Sequence, residues 1–116
     1  MIERKTIRYS LLDKTSIKAY IKLHQNQDFS EVRIYDISKG GICLIMNREN
    51  FIQFNKPYPI QVCFLDEKAN PKKIIQSEAT QVWYLLKEFK EVESLYIGFI
   101  FKENIEFNED LINESV

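Results

Sequence analysis

Asp36, Ser38 and Gly41 stand at the spacing D-x-S-x-x-G, inside a polar break over residues 36–41 that separates two apolar, strand-like runs. The break holds Gly40 and Gly41, two of the three glycines of the chain. Upstream, Arg4 and Arg8 stand at the spacing R-x-x-x-R. Each residue type has a definite capacity. A guanidinium fork meets a phosphate, or the O6/N7 edge of a guanine, with two parallel hydrogen bonds. An ionised carboxylate accepts from the N1–H and N2–H₂ donors of the same base. A serine hydroxyl donates to a phosphate or ties a turn together, and glycine lets the backbone turn tightly and approach a ligand without a Cβ clash. Together these groups suit an anionic purine ligand.

The elements that must position them read as strands. Residues 16–24 alternate, with Ile17, Ala19, Ile21 and Leu23 on one face and Lys18, Tyr20, Lys22 and His24 on the other. Val32 and Ile34 share a face opposite Glu31, Arg33 and Tyr35. Residues 42–46 form a more fully apolar strand. Pro57 and Pro59 restrict the start of the next one, in which Ile60, Val62 and Phe64 alternate with Gln61, Cys63 and Leu65. Residues 74–86 form one long strand with room for a bulge, 87–93 a charged hairpin loop, and Leu95, Ile97, Phe99 and Phe101 the last strand. Asn108 is suited to cap a short helix, with Glu109 and Asp110 in its first turn. About six strands with short connections predict an all-β, antiparallel barrel or sandwich. Residues 1–15 lack either period and read as a flexible arm carrying R-x-x-x-R, ahead of a single domain over 16–116.

Composition bounds the function. The chain has 116 residues, 45% hydrophobic and 28% charged, which suits one folded domain, and its eight Phe and six Tyr favour strands. Net charge is −1 but unevenly spread: residues 1–24 carry six Lys or Arg against two acids, net +4, and residues 103–116 carry five acids and no base. A basic leader suits a small anion better than an extended polyanion. No apolar run is long enough to span a membrane, and the first eight residues are too polar for a signal peptide, so a cytoplasmic location is expected. Cys43 and Cys63 sit in alternating runs without metal-type spacing and are expected as reduced core residues. With one histidine, His24, on a polar strand face and no nucleophile–base ordering, no enzyme, metal or cofactor is expected.

The two motifs together resemble the PilZ domain, the bacterial receptor for cyclic di-GMP. The resemblance covers nearly the whole chain: R-K-T-I-R at residues 4–8, D-I-S-K-G-G at 36–41, Val82–Trp83, and Y-I-G-F-I-F at 96–101. It implies a six-stranded barrel with a mobile arm and a short C-terminal helix, and cyclic di-GMP as ligand. Arg4 and Arg8 would fold over the nucleotide while Asp36, Ser38, Gly40 and Gly41 hold it from the barrel, and the ordered arm would become a surface for a protein partner. One departure stands out. Many relatives carry a third basic residue just before the arginine pair, and here Glu3 occupies it.

Each feature also has a plainer reading. D-x-S can be an Asx-type turn, two arginines near a terminus can be solvated, and Trp83 can be core packing rather than a stacking platform. A PilZ-like adaptor that binds protein and no nucleotide is the alternative function. Single-stranded nucleic acid bound through Tyr9, Tyr20 and Tyr35 is less favoured, given the near-zero net charge.

Overall fold

The computed structural model describes residues 7–47 and 56–116. In chain order these form β1 (Tyr9–Ser10), β2 (Ile17–Ile21), β3 (Ser30–Ile37), β4 (Gly41–Met46), β5 (Pro57–Leu65), β6 (Pro71–Phe89), β7 (Val92–Phe101) and α1 (Glu109–Asn113). Every pairing is antiparallel. The order β3-β2-β5-β6-β7-β4 returns to β3, which closes a six-stranded barrel, and β1 adds to β3 as a seventh, outer strand. Closure removes the free edges that an open sheet of this size would present.

The core follows from period-two alternation. Ile17, Ala19 and Ile21 of β2, Ile60, Val62 and Phe64 of β5, Ile42 and Leu44 of β4, and Ile97, Phe99 and Phe101 of β7 all bury inward. The segment after β7 plugs one end: Ile105, Phe107 and Ile112 join the core, and the Phe107 ring packs 5.9 Å from Tyr9 and 6.5 Å from Phe64. Asn108 caps α1, its side chain accepting from the Asp110 N–H at 3.0 Å. Among the described residues no helix is long and apolar enough to cross a membrane.

Two sequence expectations change. Residues 9–15 are not arm: β1 pairs Tyr9 with Ile37 and Ser10 with Asp36, Leu11 is 3% exposed, and the Thr15 and Ser16 N–H groups both donate to the Val116 carbonyl at 2.7 Å. Apolar Leu11 and these backbone bonds hold a stretch too short to show a period. Arg4 and the rest of residues 1–6 lie outside the described residues, as do residues 48–55. The supposed loop over residues 87–93 is mostly strand, because β6 and β7 continue to Phe89 and Val92 and turn only at Lys90 and Glu91. The cysteines are reduced and buried, as expected, although both lie outside the main interior cluster. Cys43 pairs laterally with Asp36 and Gly98, on the outward face of β4.

Two register shifts decide which side chains face out. Ile34 pairs with Leu44 but Asp36 with Cys43, so Tyr35 is an extra residue bulged from β3. Unbroken alternation would turn Asp36 inward beside Ile34. With the bulge, Ile34 and Ile37 both point to the core and Asp36 points out. The same happens on β6. Gln81 pairs with Phe99 but Trp83 with Gly98, so Val82 is extra, and Trp83 turns outward while Gln81 stays buried.

Candidate functional site

The bulges bring Asp36 and Trp83 into one cross-strand row, Ser10–Asp36–Cys43–Gly98–Trp83, over five neighbouring strands. Three strand spacings of about 4.8 Å, roughly 14 Å of sheet, separate Asp36 from Trp83. The small residues between them, Cys43 and Gly98, are both buried. The Trp83 indole lies directly over Gly98, where a Cβ would come within 2.1 Å of its Nε1. Trp83 is 46% exposed, so it is a surface aromatic rather than core packing.

At the other end of the row the Arg8 guanidinium donates to Asp36 Oδ1 at 2.6 Å. The β1–β3 pairing makes this contact, setting Ser10 opposite Asp36 so that the residue two before it reaches the carboxylate. The Asp36 hydrogen bond is the main cause that raises the Arg8 pKa, against a smaller cost of burial. Burial, then the Asp36 charge, pushes the Cys43 thiol up to about 11, while Arg8 and Lys87 pull the other way. Cys43 is therefore a neutral floor under a charged rim. Lys87 forms part of that rim, its Nζ 4.6 Å from the Tyr96 ring centroid and 5.9 Å from that of Tyr35. The two rings meet edge to face at 5.4 Å.

The remaining motif residues build the turn. Ser38 is 1% exposed, its Oγ accepts from the Gly41 N–H at 3.1 Å, and its own N–H donates to the Gly41 carbonyl at 2.8 Å. Of the two roles open to this hydroxyl, the turn tie is the one seen. Neither glycine has a positive φ, so no left-handed conformation requires them. Gly41 is required instead by close packing: a Cβ there would lie 2.6 Å from the Phe99 carbonyl oxygen of β7. Gly40 has ordinary room, the nearest atom being Asn104 Oδ1 at 3.6 Å.

Of the expected ligand residues, the structure brings Arg8 and Asp36 together on the surface, makes Ser38 and Gly41 their scaffold, and leaves Gly40 a spacer. Arg4 is outside the described residues. Sequence reading did not bring Tyr35, Tyr96 and Lys87 together. Lys87 was assigned to a loop, and only the true length of β6 puts it over the tyrosines. Among the described residues no group of three or more His, Cys, Asp or Glu is placed to hold a metal.

No protein-family model matches the chain, and no curated protein matches it in sequence. Solved structures do match in fold. The Bacillus subtilis inhibitor of motility MotI/DgrA superposes with a TM-score of 0.65 at 16% identity, over 97% of this chain and 48% of its own. The Borreliella burgdorferi PlzA protein in complex with c-di-GMP gives 0.63 at 13% identity, over 95% and 48%. The PilZ domain of Escherichia coli YcgR, solved with c-di-GMP, gives 0.61 at 13% identity, over 97% and 86%. The chain thus spans about half the length of the first two and most of the third. Barrel order, extra strand and C-terminal helix all coincide: this chain has the PilZ fold.

Proposed function

We propose that this chain is a cyclic di-GMP receptor, with the nucleotide seated on the outer barrel wall between the arginine leader and the D-x-S-x-x-G turn. The observation that carries the reading is the Arg8–Asp36 pair, exposed on a barrel of PilZ fold at the turn the motif builds. Asp36 keeps a second oxygen for guanine N1–H and N2–H₂, and Arg8 keeps four more N–H donors for a phosphate or the O6/N7 edge. Trp83, across the row, offers its free face for base stacking. Arg4 closes over the ligand from the leader, and ordering that leader produces the surface a protein partner reads. Ordering costs about 1–2 kcal/mol per residue, so the expected affinity is near micromolar, about −8 kcal/mol.

Calorimetric titration with cyclic di-GMP, beside GMP and cyclic AMP, tests this. Saturable, selective binding is expected, weakened at least tenfold in Arg8→Ala. The melting temperature should barely move, because an exposed ion pair contributes only about 0–1 kcal/mol. Absence of binding to the natural chain, or unchanged affinity in both Arg4→Ala and Arg8→Ala, overturns it. The adaptor reading draws on one observation, the exposed apolar residues Leu85, Leu86 and Val92 near the tip of the β6–β7 hairpin, and the same titration separates it.

A further inference from the structure

Lys87 is not part of either motif, yet it faces the same patch as Arg8. Arg8 precedes β1 and approaches the Asp36–Cys43 row from the Ser38 end of β3. Lys87 approaches from the opposite end, reaching from β6 across Tyr96 of β7 to Tyr35, the bulged residue of β3. The side chain is exposed, and among the described residues no carboxylate forms an ion pair with it. A lysine over two tyrosine rings is held by cation–π attraction on one side and still presents N–H donors on the other. That is a preorganised anion contact, whose long stem loses little further freedom when a ligand arrives. Both cations lie near enough to Cys43 to oppose the rise of its thiol pKa.

We propose that Lys87 is a phosphate contact of the cyclic di-GMP site, supplying from the barrel wall the positive charge that Glu3 does not supply from the leader. The inference rests on the receptor reading above. Seated this way, a ligand with two phosphodiesters meets Arg8 at one end of the patch and Lys87 at the other, and a mononucleotide gains from only one of them.

The test is titration of cyclic di-GMP against the natural chain and its Lys87→Met, Lys87→Arg and Arg8→Ala variants, at low and at high salt. Lys87→Met is expected to bind about tenfold more weakly at low salt, the loss of one charge-assisted hydrogen bond. The deficit should shrink at high salt, where the Coulomb contribution is screened. Lys87→Arg should restore most of the affinity. A lysine that only packs on the tyrosines would give a deficit independent of salt, and that result overturns the proposal. So does a Lys87→Met variant that binds like the natural chain while Arg8→Ala does not, which leaves the receptor reading standing. Failure of the natural chain to bind overturns both.

Discussion

Asp36 and Trp83 face the same way from strands that are not paired with each other, and each does so because an extra residue precedes it, Tyr35 on β3 and Val82 on β6. A bulge shifts the two-residue side-chain period by one, so everything after it changes face. Both bulges fall on the strands flanking β4 and β7, and both aim a chemically useful side chain at the strip between them. Small residues, Cys43 and Gly98, fill that strip, and the indole lies down over Gly98.

Gly98 keeps that indole flat. In Gly98→Ala the new methyl overlaps the Trp83 ring at Nε1, Cε2 and Cζ2, and the ring, being half exposed, is the part that moves. Trp83 is the only tryptophan, so the displacement reads directly as a change in intrinsic fluorescence. Thermal stability should fall by less than about 1 kcal/mol, since replacing glycine in a strand recovers some backbone entropy. Cyclic di-GMP affinity should drop severalfold if the indole face stacks on a base. Unchanged emission in Gly98→Ala would mean that the ring does not rest on this glycine.

Gly40 and Gly41 are adjacent, and opposite outcomes are expected on adding a methyl. At Gly41 the methyl meets the Phe99 carbonyl oxygen at 2.6 Å, backbone against backbone between two barrel strands. Overpacking of this kind costs about 1–3 kcal/mol, so Gly41→Ala should melt several degrees lower. At Gly40 the nearest atom is the Asn104 side chain at 3.6 Å, and Gly40→Ala should melt as the natural chain does. Denaturant titration of the two variants side by side checks the pair.

How much of this was legible beforehand depends on the kind of signal. The barrel strands carry their own period, so β2, β5 and β7 could be read with their inward faces. The D-x-S-x-x-G spacing marked the turn, and Arg8 and Asp36 do meet there. Three things were not legible. Tyr9–Ser10 is too short a strand to show alternation and exists only because β3 offers it a partner. The faces of Asp36 and Trp83 depend on bulges: one was expected within 74–86 and falls at Val82, but the sequence marked neither its position nor the bulge at Tyr35. Ser38 and Gly41 were expected at the ligand, and the spacing does not show that both are buried, Ser38 tying the turn and Gly41 packed against β7. A motif reports which residues matter; only packing separates a contact from its support.

Cys43 should make the fold sensitive to alkali. Its thiol is raised from an ordinary value of 9.0 to about 11, mainly by burial, so the folded state holds the proton more tightly than the unfolded state. The stabilisation is therefore complete below pH 9 and is lost as pH rises through about 11. Melting curves across that window should fall more steeply for the natural chain than for Cys43→Ala, because the tyrosines titrate in both. Parallel curves would show that Cys43 is not held in its thiol form.

Among the described residues three non-glycine residues, Ala69, Lys90 and Glu91, sit in left-handed conformations where a glycine would cost less. Glu91, φ 65°, is the second residue of the β6–β7 turn, and Ala69, φ 62°, lies in the β5–β6 turn that Asp66 organises by accepting from the Lys68 and Asn70 N–H groups at 2.9 Å. A side chain in that region costs about 1–2 kcal/mol, and glycine gives back part of the gain as unfolded-state entropy. Glu91→Gly and Ala69→Gly should each stabilise by about 0.5–1 kcal/mol net. The sites lie on different turns with no shared partner, so the double variant should show the sum. Neither touches the Asp36–Trp83 row, so cyclic di-GMP affinity should stay at the natural value while the denaturation midpoint rises. An affinity that moved with the midpoint would show that the turns and the binding face are coupled through the β6–β7 hairpin.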